Sequence, residues 1–174
     1  KAIVAIHMRG HICDIEKITK FARKNKLKVI EDCSQSLGGK VNGKKVGSLG
    51  DISTFSFQFN KLITAGEGGA VCTNNKNLFQ KINRFHDLGM GRIYGQPDPI
   101  GSIAEDVGLN YHYNELSAAL LLSQFEKINS ILRNLKSNNK KIMGLFNNLK
   151  KSNPDLSFEI LGNRKYTEKN YAFF

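Results

Sequence analysis

Hydrophobic and polar positions along the first half of the chain alternate in a way that predicts strands separated by helices. An apolar run at 2–7 precedes apolar residues at helical spacing over 15–22, with Asp14 as the candidate N-cap, and a second apolar run follows at 27–30. A strand, a helix and a second strand in this order form a βαβ unit, whose two strands lie parallel in one sheet. The pattern therefore predicts an α/β fold with a parallel sheet.

Turn signals and further periodicity extend this prediction along the rest of the chain. Asn42-Gly43 is typical of the turn of a hairpin over 40–46, and Asn114 is a candidate cap for a long helix. The glycine-rich stretch 89–109 predicts a long exposed loop. The remaining predicted elements are strands at 52–57, 69–73, 156–161 and 171–174 and helices at 77–88 and 115–149, the second with a break or bend at 137–139.

The charge of the chain invites a nucleic-acid interpretation. The 174 residues include 26 Lys and Arg against 15 Asp and Glu, which gives a formal net charge of +11. However, 20 of the basic residues are Lys, only six are Arg, and they are spread along the chain. Nucleic-acid recognition favours Arg forks and clustered basic patches. A compositional background rich in Lys, Asn and Ile is therefore the favoured interpretation, and no nucleic-acid partner is expected.

Cysteine spacing and the lack of long apolar runs narrow the possible classes further. Cys13, Cys33 and Cys72 contain no Cys-x-x-Cys pair, and His7 and His11 flank a probable strand end, so no metal site is predicted. Unpaired thiols are typical of a reducing cytoplasm, and no apolar run reaches the roughly 18 residues of a membrane span. We therefore expect a cytoplasmic protein, in which Cys33 is a small buried residue rather than a nucleophile.

Residues that could carry chemistry are densest between 31 and 69. Asp32 follows a predicted strand, at the end where open α/β sheets bind their ligands. Lys61 stands among apolar residues, which can desolvate an amine and favour its attack on a carbonyl. The glycines within 66–69 have no side chain, so the backbone of this segment can approach another group closely. By spacing alone, an ordinary surface lysine after a strand remains an alternative for Lys61.

Several short segments match one family in their order and spacing. They lie at 7–10, 29–38, 47–51, 55–61, 66–70, 108–116 and 118–119. Together they resemble the DegT/DnrJ/EryC1/StrS family of sugar aminotransferases, which depend on pyridoxal 5'-phosphate (PLP). The resemblance implies the aspartate-aminotransferase-like fold (fold type I), a three-layer α/β/α arrangement with a mixed, mostly parallel sheet. In this chain it implies part of the large PLP-binding domain over 1–150 and the start of a small C-terminal domain over 151–174.

The resemblance also implies roles for five residues. Lys61 matches the lysine that binds PLP covalently and moves the proton during catalysis. Asp32 matches the acid that faces the pyridine nitrogen, and Gln35 matches the residue near the phenolic oxygen of the ring. Ser56 matches a hydroxyl that binds the cofactor phosphate. Asn110 matches an asparagine that reaches the phosphate in the neighbouring subunit, which implies a homodimer with shared active sites.

The implied function is PLP-dependent transamination of a keto-sugar, commonly nucleotide-linked, with glutamate or glutamine as amino donor. Its product would serve amino-sugar and surface-polysaccharide biosynthesis. His112 stands where the family often has arginine, so the anion contact of that arginine is not carried over. Family members are roughly twice as long as this chain, so we expect the central part of a larger protein. The alternative is a catalytically inactive, truncated member that acts as a binding or regulatory module.

Overall fold

A computed structural model describes residues 1–92, 106–155 and 167–169 of the chain. The elements in chain order are β1 (Ala2–Ile6), a 3₁₀ turn (Met8–Gly10), α1 (Ile15–Lys24), β2 (Lys28–Asp32), β3 (Lys40–Val41), β4 (Lys44–Lys45), β5 (Ile52–Ser56), β6 (Gly69–Cys72), α2 (Lys76–His86), α3 (Glu115–Ser152) and β7 (Thr167–Glu168). The strands predicted at 156–161 and 171–174, and most of the loop predicted at 89–109, lie outside the described residues.

Four strands form one mixed sheet in the order β1-β2-β5-β6. The first three run parallel, with Ile6 and Thr54 on either side of Asp32, and β6 runs antiparallel to β5, with Gly69 beside Ser56. The predicted α/β fold with a mostly parallel sheet is therefore confirmed over the described residues. Because β1, β2 and β5 end at one edge and β6 begins there, residues that follow these strands gather at this edge, which we call the carboxyl edge.

The hydrophobic core lies where α1 covers β1 and β2. Apolar residues follow the helical period along α1, and Ile15 and Ala22 on that face are each 1% exposed. They pack with Ala5 of β1 and Val29 of β2 in one cluster. Full burial of a side chain the size of Ile15 stabilises a fold by about 2–3 kcal/mol. This apolar face therefore packs α1 against β1 and β2, the two parallel strands that the helix connects.

The long helix α3 confirms its predicted start but not its predicted bend. Asn114 caps the helix by accepting a hydrogen bond from the amide of Ser117 at 2.8 Å. The helix then runs for 38 residues without a break, so the break or bend predicted at 137–139 is wrong. Ser137 and Asn138 are exposed, and their side chains stay in solvent instead of competing for backbone hydrogen bonds. Within the described ranges, no helix is both long and apolar enough to cross a membrane.

The predicted hairpin is confirmed, and a strand that was not predicted extends it. Asn42 and Gly43 have φ values of 48° and 77°, as a two-residue turn with positive φ at both positions requires. The sheet order here is β4-β3-β7. β7 pairs antiparallel with β3 and brings Glu168 to the register position beside Lys40. Nothing in the sequence around 167–168 distinguishes this short strand from a loop.

Glu31 is a fully buried carboxylate that connects β2 to the loop before β5. Its oxygens accept hydrogen bonds from Nε2 of His7 at 3.1 Å and from three backbone amides. These amides belong to Gly47, Leu49 and Gly50. Burial alone would raise the pKa of Glu31, but the hydrogen bonds from His7 and the amides lower it below its usual value. We call this set of contacts the Glu31 clamp.

The residues beside the clamp include donor types that metals use. His7, Glu31 and Cys33 bring a nitrogen, an oxygen and a sulfur within 4.8 Å of one another. However, Nδ1 of His7 accepts a hydrogen bond from the amide of Cys13 at 3.3 Å, which leaves Nε2 to donate its proton to Glu31. We therefore assign the cluster a structural role. Cys33 is buried as predicted, and burial raises the pKa of its thiol, which makes it a poor nucleophile.

The segment at the end of α2 pairs with the segment before α3. Three backbone hydrogen bonds join them. The amides of Leu109 and Tyr111 donate to the carbonyls of Phe85 and His86, and the amide of Leu88 donates to the carbonyl of Leu109. Gly108 lies where the two segments approach most closely, and a Cβ on it would collide with backbone atoms of the first segment. A side chain at this position would therefore force the two segments apart.

Glu31→Gln is expected to lower the free energy of unfolding by about 3 kcal/mol, because it leaves buried donors without the charge they surround. Denaturant unfolding followed by circular dichroism measures the difference. Glu16→Gln, at an exposed glutamate on α1, is the control and should change the stability by no more than about 0.5 kcal/mol. Equal losses in the two variants would contradict the role of the clamp.

The clamp also predicts how stability depends on pH. The folded-state pKa of Glu31 lies below its usual value of 4.5, so its contribution is complete above that pH and is lost as the pH falls through the folded-state pKa. Unfolding free energies measured from about pH 7 to about pH 3 should therefore fall more steeply in the native chain than in Glu31→Gln. Parallel curves would exclude Glu31 as the source of the acid sensitivity.

Two glycine substitutions should have effects of opposite sign. Gly108→Ala is expected to lower the free energy of unfolding by more than about 2 kcal/mol, because the added Cβ meets backbone that cannot turn aside. In Gly144→Ala, on an exposed position of α3, the added Cβ has no atom of the described part of the chain within 4 Å. This variant should gain up to about 1 kcal/mol from the better helix propensity of alanine. Thermal unfolding compares the two, and similar losses in both would disprove the steric argument.

Candidate active site

Four of the five predicted site residues lie at the ends of adjacent parallel strands or in the loops that leave those strands at the carboxyl edge. Asp32 and Ser56 are the last residues of β2 and β5, which are adjacent and parallel. Gln35 lies shortly after β2, and Lys61 lies in the loop that leaves β5. Because parallel strands end at a common edge, residues that are distant in the sequence become neighbours there. The topology thus gathers an acid, an amide, a hydroxyl and an amine.

Backbone amides hold the acid and the amide at this edge. Asp32 is half-buried, and its Oδ1 accepts a hydrogen bond from the amide of Ser34 at 3.0 Å. Oε1 of Gln35 accepts a hydrogen bond from the amide of Arg9 at 2.8 Å, which links the chain after β2 to the turn after β1. Asp32 pairs with no cation among the described residues. Its carboxylate can therefore meet a protonated ring nitrogen without first breaking an ion pair.

The loop that carries Lys61 is closed by hydrogen bonds to the end of β5. The carbonyl oxygen of Phe57 accepts from the amide of Ala65 at 3.0 Å and from the hydroxyl of Thr64 at 3.1 Å. Within the loop, the amide of Lys61 donates to the carbonyl of Gln58 at 3.0 Å. These contacts fix both ends of a short loop and keep Lys61 near the carboxyl edge.

The surroundings of Lys61 are less apolar than the sequence predicts. Ile63 is buried, but Phe59 is 70% exposed and does not shield the amine. Lys61 itself is half-buried and forms no ion pair with another described residue. Among the residues that the structure describes, Oγ of Ser56 has only a long contact, 3.4 Å, from the amide of Gln58. The amine and the hydroxyl can therefore both interact with a ligand.

The glycine-rich segment before β6 allows β6 to lie close to β5. A Cβ on Gly69 would lie 2.7 Å from the carbonyl oxygen of Phe55, so a larger residue would separate β6 from β5. A Cβ on Gly68 would meet the ring of Tyr113, whose hydroxyl donates to the carbonyl of Glu67 at 3.1 Å. The close approach predicted from these glycines is thus an approach to the protein's own backbone and to Tyr113.

Asn110, the fifth predicted residue, lies in a different cavity. It forms an isolated bridge with Asp87 and lines a space of about 810 Å³ bounded by β6, α2 and the start of α3. None of the other four predicted residues lines this space. Oδ1 of Asn110 accepts a hydrogen bond from the amide of His112 at 3.2 Å. Within one chain, Asn110 therefore does not line the same cavity as the other four predicted residues.

The same cavity borders a charged cluster that sequence reasoning missed. The side chain of Asp87 is 7% exposed and accepts from Nε2 of His112 at 2.6 Å and from Arg92 at 3.3 Å. The ring of His86 lies against His112, with centroids 5.2 Å apart. His112 thus pairs with a carboxylate of its own chain. The adjacent residues His86-Asp87 are a sequence signal, but they do not indicate that residue 112 completes the cluster.

The residues at the carboxyl edge fit the groups that PLP presents. The cofactor has a ring nitrogen, an aldehyde and a phosphate, which need an acid, an amine and hydrogen-bond donors. Asp32 and Lys61 supply the acid and the amine, and neither is paired with an opposite charge among the described residues. The Ser56 hydroxyl can donate to a phosphate oxygen. The donor set is therefore chemically suited to this cofactor.

Comparison with characterised proteins agrees with this chemistry. Residues 1–158 match the family model described as the DegT/DnrJ/EryC1/StrS aminotransferase family. The chain is 42% identical to GDP-perosamine synthase of Escherichia coli O157:H7, over 76% of the chain and 35% of that protein. It is 35% identical to L-glutamine:2-deoxy-scyllo-inosose aminotransferase of Streptoalloteichus tenebrarius, over 74% of the chain and 31% of that protein.

The fold is also that of a solved aminotransferase. The X-ray structure of the aminotransferase from Psychrobacter cryohalolentis matches with a TM-score of 0.84 and 29% identity, over 99% of this chain and 45% of that one. The chain spans about a third of the length of these two curated relatives, which belong to a PLP-dependent family of aminotransferases. Because the family model matches most of the length of this chain, the chain belongs to the DegT/DnrJ/EryC1/StrS aminotransferase family.

Proposed function

We propose that this chain carries the cofactor-binding part of an aminotransferase that transfers an amino group from glutamate or glutamine to a keto-sugar. The observation that supports this most directly is that Asp32 and Ser56 end two adjacent parallel strands, with Gln35 and Lys61 in the loops that leave them. The name of one similar protein includes L-glutamine, and that of another includes a GDP-linked sugar. The first name supports glutamine as the amino donor, and the second supports a nucleotide-linked keto-sugar as the acceptor. The reaction would belong to amino-sugar and surface-polysaccharide biosynthesis.

Three residues would bind and orient the cofactor. When bound, PLP supplies an electron-accepting ring that stabilises negative charge on the substrate carbon. The Asp32 carboxylate keeps the ring nitrogen protonated through a charge-assisted hydrogen bond. The Gln35 amide, already oriented by the amide of Arg9, contacts the phenolic side of the ring. The Ser56 hydroxyl donates to the phosphate.

Lys61 would act as the catalytic residue of this site. Its Nζ would hold the cofactor, and once the amino donor has displaced it, the free amine would move a proton between the substrate carbon and the cofactor. Proton transfer depends on position, and the hydrogen bonds from Thr64 and Ala65 to Phe57 keep the loop at the carboxyl edge. Arginine at this position would keep a positive charge but could not serve as the base, because its guanidinium stays protonated.

Asn110 would act in the site of a second subunit. Its position in a cavity that none of the other four residues lines supports this assignment, because the residue then contributes to a neighbouring copy. The protein would accordingly be a homodimer with shared active sites. The contact around Gly108 and the hydrogen bond to His112 hold Asn110 in place for that role.

The domain division that accompanies this proposal has its boundary near the end of α3. Residues 1–150 would form part of the large, three-layer α/β/α domain, and 151–174 would begin the small C-terminal domain. The division falls within the last turn of α3, which ends at Ser152. A long helix that connects the two units would fix the distance between them.

Chemical labelling tests the role of Lys61. Incubation with PLP followed by borohydride reduction should leave a pyridoxyl group on Lys61, which peptide mass spectrometry locates. Lys61→Ala should abolish the labelling, whereas Lys81→Ala, at an exposed lysine on α2, should leave it unchanged. Labelling that persists in Lys61→Ala, or that spreads evenly over many lysines, would refute the proposal and favour the inactive binding or regulatory module.

Subunit mixing tests the shared site. Lys61→Ala and Asn110→Ala should each be inactive as homodimers, since every site then lacks one residue. A hybrid dimer has one site with both residues intact, so dissociating and reassociating an equal mixture should restore about a quarter of native activity. Mixing Lys61→Ala with a second inactive carboxyl-edge variant, Asp32→Ala, is the matched control and should restore nothing. Recovery in the control, or none in the test mixture, would contradict Asn110 acting across the interface.

A further inference from the structure

The loop that carries Lys61 begins and ends at one buried residue, Phe57. The carbonyl of Phe57 accepts the hydrogen bonds from Thr64 and Ala65, and its amide donates to the carbonyl of Gly68 at 2.8 Å. The side chain of Phe57 is 3% exposed. We call Phe57 and Gly68 the loop neck. The position of Lys61 therefore depends on whether this neck stays closed.

Two aromatic side chains hold the loop neck from outside the loop. The ring of Phe125, on α3, packs edge-on against the ring of Phe57, with centroids 5.7 Å apart. The hydroxyl of Tyr113, which directly precedes the cap of α3, donates to the carbonyl of Glu67 at 3.1 Å. The ring of Tyr113 also lies against Gly68, where a Cβ would collide with it. Each residue of the neck thus has its own aromatic contact.

The segment that Tyr113 contacts is rich in glycine. Gly66 and Gly68 flank Glu67 and have φ values of 84° and 140°. Glycine has more conformational freedom to lose than any other residue, so such a segment needs support from outside. The hydrogen bond from Tyr113 fixes the carbonyl that lies between the two glycines. We call the contacts of Tyr113 with Glu67 and Gly68 the tyrosine brace.

Tyr113 is itself held in place on both sides along the chain. The segment before it pairs with the end of α2 through the amides of Leu109 and Tyr111, and Asn114 after it caps α3. Burial raises the pKa of the Tyr113 hydroxyl, and a hydrogen bond with Ser117 opposes this only in part. The hydroxyl therefore keeps its proton at neutral pH and remains a donor to the loop.

We propose that Tyr113 is a positioning residue for Lys61. Through the tyrosine brace it holds the segment by which the loop returns to β6, and so it limits how far the Lys61 amine moves at the carboxyl edge. Proton transfer depends strongly on such limits, because a small displacement of the reacting group costs much of the rate. The proposal rests on the role of Lys61 proposed above, but the brace belongs to the folded chain and can be tested without cofactor.

Hydrogen exchange of the full chain, followed by NMR, tests the tyrosine brace. Tyr113→Phe keeps the ring and removes only the hydroxyl. It should speed the exchange of the Phe57 and Ala65 amides by about two- to tenfold, as loss of one hydrogen bond implies for a local opening. The amide of His7, which joins the end of β1 to β2, should exchange at the native rate. Equal acceleration at His7 would indicate a general loss of stability and would overturn the proposal.

A matched control removes the same chemical group from a neighbouring ring. Tyr111 is 61% exposed, and Tyr111→Phe should leave the exchange of the Phe57 and Ala65 amides unchanged. If Tyr111→Phe speeds these amides as much as Tyr113→Phe does, the hydroxyl of Tyr113 has no special role and the proposal fails.

Gly68→Ala perturbs the brace from the opposite side. The added Cβ collides with the Tyr113 ring, and it also strains a backbone whose φ is positive. In a Tyr113→Ala background the ring is gone, so only the backbone strain remains. Gly68→Ala should therefore speed the exchange of the Phe57 amide at least about threefold more in the native chain than in Tyr113→Ala. Equal effects in the two backgrounds would contradict a contact that matters to the loop.

The rate of PLP labelling measures the consequence for Lys61. At limiting PLP with borohydride trapping, Tyr113→Phe should label Lys61 at least about threefold more slowly than the native chain, whereas Tyr111→Phe should label it at the native rate. A native labelling rate in Tyr113→Phe would overturn the proposal. If the native chain is not labelled at all, the aminotransferase proposal fails, and the exchange of the Phe57 and Ala65 amides still decides whether Tyr113 positions the loop.

Discussion

The buried carboxylate of Glu31 is the interaction on which the geometry of the carboxyl edge depends. A buried charge is strongly destabilising unless donors surround it, and here three amides and His7 do so. The next residue of the same loop is also bound to β2, since the carboxylate of Asp51 accepts a hydrogen bond from the amide of Val29 at 2.9 Å. The loop therefore sets the register of β5 beside β2. Because of that register, the end of β5 lies beside the end of β2.

Two adjacent acids at the end of β2 serve opposite purposes because they differ in burial and in their partners. Side chains of successive strand residues point to opposite faces, so Glu31 and Asp32 meet different surroundings. Glu31 is 0% exposed and its oxygens are fully engaged within the core. Asp32 is half-buried at the sheet edge, with one short contact from Ser34. Glu31 fixes the scaffold, and Asp32 is held on that scaffold at the edge of the sheet. The two roles fall to adjacent residues of the sequence.

What the sequence could predict depends on whether the cause of a feature is local. The hairpin was predictable because positive φ at Asn42-Gly43 is a property of those two residues. The carboxyl-edge residues were found through strand ends and a family resemblance. The Glu31 clamp could not be found, because three of its four donors are backbone amides, which nearly every residue type carries. The bend expected at 137–139 failed because polar residues disturb a helix only where their side chains turn back on it.

The separation of Asn110 from the other candidate residues also follows from packing rather than from sequence distance. The pairing of the segments around Gly108 sets where residue 110 lies, and the buried carboxylate of Asp87 holds His112 beside it. Neither contact involves the carboxyl edge. If Asn110 acts in a second subunit, these contacts position it for a site that its own chain does not complete. Changes around Gly108 would then affect the partner's chemistry while leaving the local donor set intact, which is a physical basis for coupling between the two sites.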